Sequence, residues 1–314
     1  MRRCALFVAL LAAVVVTVAP AGAFPSPPAP GYWLVAGDGG VFGFNVPFFG
    51  SAASDPTRCP PNTVDRDHPH GQCFAIAATP TGRGYWILNG DKGKVYRYGD
   101  AGFYGEPATA WAGQPRDLVP TALAIVSTPS GHGYWVLELN ASGAATIAPF
   151  GDAKSYGDSQ TIVSHTHQAL NGTPVGFAST PDGKGYWEVH SDGGVFGFGD
   201  AHFYGSVPGL NIQDTQPRIV GIAATLDGKG YWIVTDGGQV FPFGDATHTS
   251  DLSGIRLAKP IVGITTDASG PGFWLVAADG GVFGLGGAPF LGSMGGKRLH
   301  EPVFGITSRR FSIV

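Results

Sequence analysis

The tripeptide Gly-Tyr-Trp, or its variant Gly-Phe-Trp, occurs six times along this chain, with tryptophans at Trp33, Trp86, Trp135, Trp187, Trp232 and Trp274. Successive tryptophans stand 53, 49, 52, 45 and 42 residues apart. A repeat of this length is one supersecondary unit that buries its hydrophobic faces only by stacking on its neighbours. The cleanest copy consists of the run 219–225, the turn Asp227-Gly228-Lys229-Gly230, the run 231–234, the tripeptide Asp236-Gly237-Gly238 and the run 240–243. The three runs are β-branched or aromatic and read as strands. The segments between them carry turn chemistry, with glycine supplying positive φ and aspartate able to bond its own backbone. A fourth, shorter strand is expected at Phe203-Tyr204-Gly205-Ser206, with counterparts at Phe48-Phe49-Gly50-Ser51 and Phe290-Leu291-Gly292-Ser293. No segment shows a competing helical period.

Four strands per unit of about 40 to 50 residues predicts an all-β fold, a β-propeller. The second strand is apolar on both faces, as Tyr231-Trp232-Ile233-Val234 shows. A sheet with one wet face would alternate polar and apolar residues, whereas blades stacked in a ring bury both sides. The tryptophans are therefore expected to pack between blades. The first copy begins at Gly31-Tyr32-Trp33 without its leading strand, and Pro302-Val303-Phe304-Gly305-Ile306-Thr307 supplies such a strand after the last copy. Six four-stranded blades, closed by pairing of the N- and C-terminal strands, follow from this complementarity. The segment Phe311-Ser312-Ile313-Val314 leaves open an incomplete seventh blade.

The residues Gly185-Tyr186-Trp187, Asp192-Gly193-Gly194-Val195-Phe196-Gly197-Phe198-Gly199-Asp200-Ala201 and Phe203-Tyr204-Gly205-Ser206 resemble a repeat of secreted bacterial propeller proteins. The turn Thr180-Pro181-Asp182-Gly183-Lys184 resembles the Pro-Asp-Gly-Lys turn of TolB-type propellers. The resemblance spans residues 31–307 and implies the fold. It implies no activity, because one fold hosts many functions.

The chain opens with Met1-Arg2-Arg3, an apolar run from Ala5 to Val18, and Pro20-Ala21-Gly22-Ala23. A basic start, a short apolar stretch and an A-x-A site predict a secretory signal peptide over residues 1–23. A linker is expected over 24–30 and the propeller over 31–314, in a secreted, extracellular protein. With Arg2 and Arg3 removed from the 19 basic residues, 23 acidic ones leave a formal charge of −6. That balance speaks against nucleic acid or anionic membrane surfaces, both of which reward a basic face. A monomer without membrane insertion is expected once the signal is removed. Cys59 and Cys73, the two cysteines beyond the signal, read as a disulfide in an oxidising compartment.

Deviations from the repeat are the candidate site residues. The residue after each tryptophan is Leu34, Ile87, Val136, Ile233 and Leu275, but Glu188 in the fourth copy, with His190 two residues on. A carboxylate in an apolar position costs several kcal/mol unless paired or exposed. Glu188 therefore requires His190, Lys184 or a ligand, and the pair is expected to mark a pocket between two blades. Glu138 also breaks the repeat, and Trp111 lies outside any repeat position, in the insertion 106–120. These four residues are the expected ligand-binding set. Insertions 54–72 and 159–173 carry His68 and His70, and His165 and His167, as metal candidates without a four-ligand spacing. Asp38, Asp192, Asp236 and Asp279, and Asp100, Asp152, Asp200 and Asp245, occupy turn positions of the repeat.

No nucleophile elbow, zinc-protease helix motif or phosphate loop is present, and no cofactor is implied. A non-catalytic propeller that binds an extracellular glycan, envelope component or protein is the first expectation. Two others stand beside it: a polysaccharide hydrolase or lyase using carboxylates such as Glu138, Glu188, Asp117 and Asp214, and a structural or protein-docking module.

Overall fold

The computed structural model describes residues 29–59, 73–115, 119–140, 143–166, 170–210, 218–248 and 251–309. They form an all-β molecule of six three-stranded antiparallel sheets. The first sheet draws on both ends of the chain, with β18 (Val303–Ser308), β1 (Tyr32–Ala36) and β2 (Val41–Phe44) in that order. The second holds β3 (Cys73–Ala78), β4 (Gly84–Asn89) and β5 (Lys94–Gly99), and the third β6 (Thr121–Ser127), β7 (Gly133–Leu139) and β8 (Ala145–Gly151). The fourth holds β9 (Pro174–Ser179), β10 (Gly185–His190) and β11 (Val195–Gly199). The fifth holds β12 (Ile219–Ala224), β13 (Gly230–Thr235) and β14 (Val240–Gly244), and the sixth β15 (Ile261–Thr266), β16 (Phe273–Ala277) and β17 (Val282–Leu285).

The leading strands face one another. β3 lies beside β6, β6 beside β9, β9 beside β12, β12 beside β15, β15 beside β18, and β18 beside β3. Together these six strands line one cavity of about 180 Å³. The pairing of the two ends is direct, with Tyr32 opposite Ser308, Trp33 opposite Thr307 and Leu34 opposite Ile306. Residues 311–314, on which the seventh-blade alternative rests, lie outside the described residues, as do residues 1–28, which hold the expected signal peptide and most of the expected linker.

The middle strands carry the core. Every residue of β1, β4, β10, β13 and β16 is buried, and all of β7 except its last residue. Each tryptophan meets the aromatic residue of the next sheet: Trp33 with Tyr85 at 5.7 Å between ring centroids, Trp86 with Tyr134 at 5.5 Å, and Trp135 with Tyr186 at 6.0 Å. The series continues with Trp187 and Tyr231 at 5.7 Å and Trp232 and Phe273 at 5.0 Å, and returns to the start with Trp274 and Tyr32 at 5.1 Å. The tryptophans are thus inter-sheet packing residues, as their spacing predicts. A buried aromatic of this kind removes about 150–250 Å² from water, several kcal/mol at about 25 cal/mol per Å². Each indole N–H is also satisfied, donating to a backbone carbonyl such as Pro47, His202 or Pro289.

The expected fourth strand is not formed in the described residues. Phe203-Tyr204-Gly205-Ser206 and its counterparts are irregular backbone that crosses to the following sheet. The Tyr204 amide donates to the Tyr231 hydroxyl, and that hydroxyl donates to the Gly205 carbonyl at 2.6 Å. Equivalent clasps join Tyr186 to Gly157, Tyr85 to Gly50, Tyr134 to Gly105 and Tyr32 to Gly292. The segment does not pair with the third strand because its backbone polar groups are taken by the next sheet's tyrosine. Glycine is needed at the clasp, where φ lies at +139° in Gly205 and +137° in Gly50, a region that side chains with a Cβ rarely adopt. Burial pushes the Tyr85, Tyr134 and Tyr186 phenols up to about 12, which keeps them neutral donors.

Two insertions fold into short helices that the sequence reading did not anticipate. α1 (Pro107–Trp111) starts with proline in its first turn, where a missing N–H is harmless. α2 (Ser159–Thr166) starts beside Asp158, whose carboxylate accepts the Thr161 amide at 2.8 Å. Helices of five and eight residues are too short to show a hydrophobic period.

Candidate functional site

The residues that break the repeat converge on one strand position. Three residues after the tryptophan, the second, third and fourth repeats place Asn89, Glu138 and His190, where the first and last have Ala36 and Ala277 and the fifth has Thr235. Each of these polar side chains faces the long insertion that precedes its own sheet. Asn89 Nδ2 donates to the Arg58 carbonyl at 2.7 Å. Glu138 Oε2 accepts from Trp111 Nε1 of α1 at 3.1 Å. His190 Nδ1 lies 2.9 Å from the Gly172 carbonyl.

Glu188 and His190 form one unit. The carboxylate is fully buried and His190 is 2 % exposed. Glu188 Oε1 lies 2.8 Å from His190 Nε2, and Glu188 Oε2 accepts the Ser159 amide at 3.2 Å. Both ring nitrogens of His190 face acceptors, the Gly172 carbonyl on one side and the carboxylate on the other. The pair thus satisfies both ring nitrogens and both carboxyl oxygens within the chain. The His190 ring also lies against Phe196, with centroids 4.8 Å apart and the planes tilted by 57°. Lys184, the other partner considered for Glu188, instead pairs with Asp182 at 2.9 Å on the surface. Through Ser159 and Gly172, the pair fastens both ends of the 159–173 insertion to β10.

Glu138 and Trp111 make the corresponding contact one sheet earlier, and both are buried. Burial raises the Glu138 carboxyl above its ordinary range, and the Trp111 N–H opposes that rise. The four expected ligand-binding residues therefore resolve into two separate pairs, Glu188 with His190 and Glu138 with Trp111. Sequence reasoning missed Asn89, the third member of the set, and Ser159 and Gly172. Its signal is in the sequence, since an amide, carboxylate or imidazole three places after the tryptophan accompanies each of the three longest preceding insertions.

In the first insertion, Cys59 and Cys73 are disulfide-bonded, with Cα atoms 5.6 Å apart. The bond ties the insertion to the first residue of β3. His165 is exposed and its Nδ1 lies 2.7 Å from the Thr161 carbonyl of its own helix. His68, His70, His167, Asp117 and Asp214 lie outside the described residues. Among the described residues, no group of three or more His, Cys, Asp and Glu side chains is placed to hold a metal ion, and no helix is long and apolar enough to cross a membrane. The repeated aspartates act as turn residues. Asp38, Asp192 and Asp279 each accept the amide two residues ahead. Asp100 and Asp152 accept hydroxyls from Thr79 and Thr128.

No protein-family model matches the chain, and no curated protein matches it. A chain of the solved structure titled "Crystal structure of Nidogen/Laminin Complex" is similar, with a TM-score of 0.55 and 10% identity over 90% of this chain and 99% of that one. At that identity the likeness concerns the fold alone, and the shared fold is a β-propeller.

Proposed function

We propose that the chain is a six-bladed propeller, closed by its terminal strands, that is secreted and serves as a non-catalytic docking module for an extracellular protein. One observation carries this reading: the phenylalanines that open the clasp segments stand in solvent. Phe48, Phe103, Phe203 and Phe290 occupy equivalent places and are 62%, 49%, 53% and 65% exposed. Aromatic side chains left exposed at the same place in four of the six repeats offer anchors of the kind that dominate protein interfaces. The buried carboxylates, by contrast, already bind backbone and indole groups of their own chain. The similar propeller comes from a structure titled as a protein complex, which agrees with a docking role. The disulfide, the signal-like N-terminus and the resemblance to repeats of secreted bacterial propellers support an extracellular setting.

The test is cross-linking of the secreted, full-length chain to extracellular proteins, run beside a glycan array and a polysaccharide hydrolysis screen. A saturable protein partner whose binding falls at least tenfold when Phe48, Phe103, Phe203 and Phe290 are changed to serine is the expected result. Turnover of a polysaccharide, or glycan binding with no protein partner, would replace this reading.

A further inference from the structure

The third strand of each sheet is its outer edge, because among the described residues no fourth strand pairs with it. Register fixes which of its amides point outward. Val95 and Val240 hold the same place in β5 and β14, opposite Leu88 and Val234. Their amides leave the sheet and donate to Glu106 Oε2 at 3.2 Å and Asp251 Oδ2 at 3.3 Å. Two residues on, the alternation of the ladder gives the next outward position to Arg97 in β5, Pro149 in β8 and Pro242 in β14. A proline offers no N–H there and a charged side chain discourages pairing, two devices that close a sheet edge. The second, third and fifth sheets are thus blunted.

The first, fourth and sixth sheets are not. Their outer strands read Val41-Phe42-Gly43-Phe44, Val195-Phe196-Gly197-Phe198 and Val282-Phe283-Gly284-Leu285, with neither a charge nor a proline. The residue after the clasp glycine, Glu106 in the second repeat, is Ser51, Ser206 and Ser293 in these three. Ser51 and Ser293 turn their hydroxyls to the carbonyls of Gly39 and Gly280. Among the described residues, no protein group accepts the outward amides of β2, β11 and β17. The chain then returns past the same place, with the carbonyls of Val46, Ala201 and Ala288 so close over Gly43, Gly197 and Gly284 that a Cβ there would press on them. Two residues further stand Phe48, Phe203 and Phe290, the three most exposed of the clasp phenylalanines. The equivalent residues of the third and fifth repeats are Ser155 and His248. Open edge and exposed ring therefore occur together in three sheets.

We infer that the outer edges of β2, β11 and β17 are strand-addition sites, each taking an extended segment of the partner protein as a fourth strand. This rests on the docking function proposed above and names how the partner is held. The occupant follows from what the edge offers, a row of amides and carbonyls whose spacing is matched by another extended backbone. The chain itself treats these edges as reactive, since it closes the other three with proline, a charge or a carboxylate cap. A four-residue strand runs about 13 Å, room for an incoming segment of about four residues. The edges carry no charge, so choice among partners falls on the side chains that reach Phe48, Phe203 and Phe290. Apolar or aromatic residues at alternate positions of the incoming segment satisfy that contact. Proline facing the edge is disfavoured there, because it has no N–H to give.

The test uses the whole secreted chain and the capped peptide Lys-Thr-Phe-Thr-Val-Thr-Lys, with a counterpart methylated on two adjacent peptide nitrogens so that neither of its edges can pair. Calorimetry is expected to show the methylated peptide binding at least tenfold more weakly, although its side chains are the same. Amide exchange with the unmodified peptide present is expected to slow at least fivefold at Gly43, Gly197 and Gly284 and to stay unchanged at Arg97. A variant carrying Ser51→Glu, Ser206→Glu and Ser293→Glu copies the Glu106 cap and is expected to bind the peptide at least fivefold more weakly while melting as the parent does. Leu226→Ser, at an exposed site elsewhere, is expected to leave binding unchanged. Equal binding of the two peptides, no binding at millimolar concentration, or indifference to the three glutamates overturns the sites. Self-association of the chain that the same glutamates abolish makes the occupant a second copy and overturns the partner assignment. A cross-linked protein partner retained by the glutamate variant but lost with the four phenylalanines rejects strand addition and keeps the docking function. Absence of any protein partner rejects the docking function itself.

Discussion

The phenolic hydroxyl of Tyr32 donates to the carbonyl oxygen of Gly292 at 2.6 Å, joining residues 260 positions apart. The Leu291 amide donates back to that hydroxyl at 3.4 Å. This is the contact that four other boundaries make between neighbours in the chain, here made between its beginning and its end. Removing a hydroxyl that serves two half-buried backbone groups costs about 1 kcal/mol. Tyr32→Phe is expected to lower stability by that amount in urea unfolding without changing the denaturant slope.

Glu188 and His190 are expected to behave as a coupled pair. Removing one member of a buried hydrogen-bonded pair leaves the other polar group unpaired, at about 1–3 kcal/mol. Glu188→Ala and His190→Ala should each destabilise by this order, and the double variant by far less than their sum. A double-mutant cycle with additive effects would remove the pairing. Either single change should also loosen the 159–173 insertion, read as faster amide exchange at Ser159.

Glu138 gives a dependence on pH of the opposite sign to the usual surface carboxylate. Its folded-state carboxyl is raised by burial, against the Trp111 N–H. Below the unfolded value, about 4.3, the group is protonated in both states and contributes nothing. Above it the unfolded chain ionises first, so stability falls as pH rises toward the folded value and stays lower beyond it. Glu138→Gln keeps an acceptor for Trp111 and removes the ionisation. Melting curves from pH 4 to 7 should show the variant gaining on the parent protein as pH rises.

Cys59 and Cys73 close a loop of 15 residues, a constraint worth about 3 kcal/mol in the chain-entropy account. Reduction, or the paired change of both to serine, is expected to lower the melting temperature by several degrees and leave the sheets intact by circular dichroism. The bond fastens only the first insertion, so an effect on the whole sheet signal would contradict this.

Much of the fold was legible in the sequence, because symmetry provides an internal control. The Gly-Tyr-Trp recurrence located all six middle strands, and the Pro302-Val303-Phe304 segment announced the shared first sheet. The failure at Phe203-Tyr204-Gly205-Ser206 has a local cause. Aromatic residues there suggest a strand, but their backbone is bound by Tyr231, a partner that no local pattern reveals. The site was legible only in part. Glu188 and His190 declared themselves by breaking an apolar position and do pair, yet the other atoms they bind, the Ser159 amide and the Gly172 carbonyl, are backbone groups that every residue carries.

The central claim is that the six sheets form a ring whose ends are stitched together by β18. That strand pairs with β1, receives the Ala78 amide on Thr307 Oγ1 at 3.2 Å, and donates its Ser308 amide to Thr265 Oγ1 at 3.1 Å. It thus contacts the first, second and sixth sheets at once. Removing residues 301–314 and following association state and melting together tests the ring most directly. The ring predicts a product that self-associates through the bared edge of β1 and melts far below the parent chain or without cooperativity. A truncated protein that remains monomeric and melts at the parent temperature would contradict it.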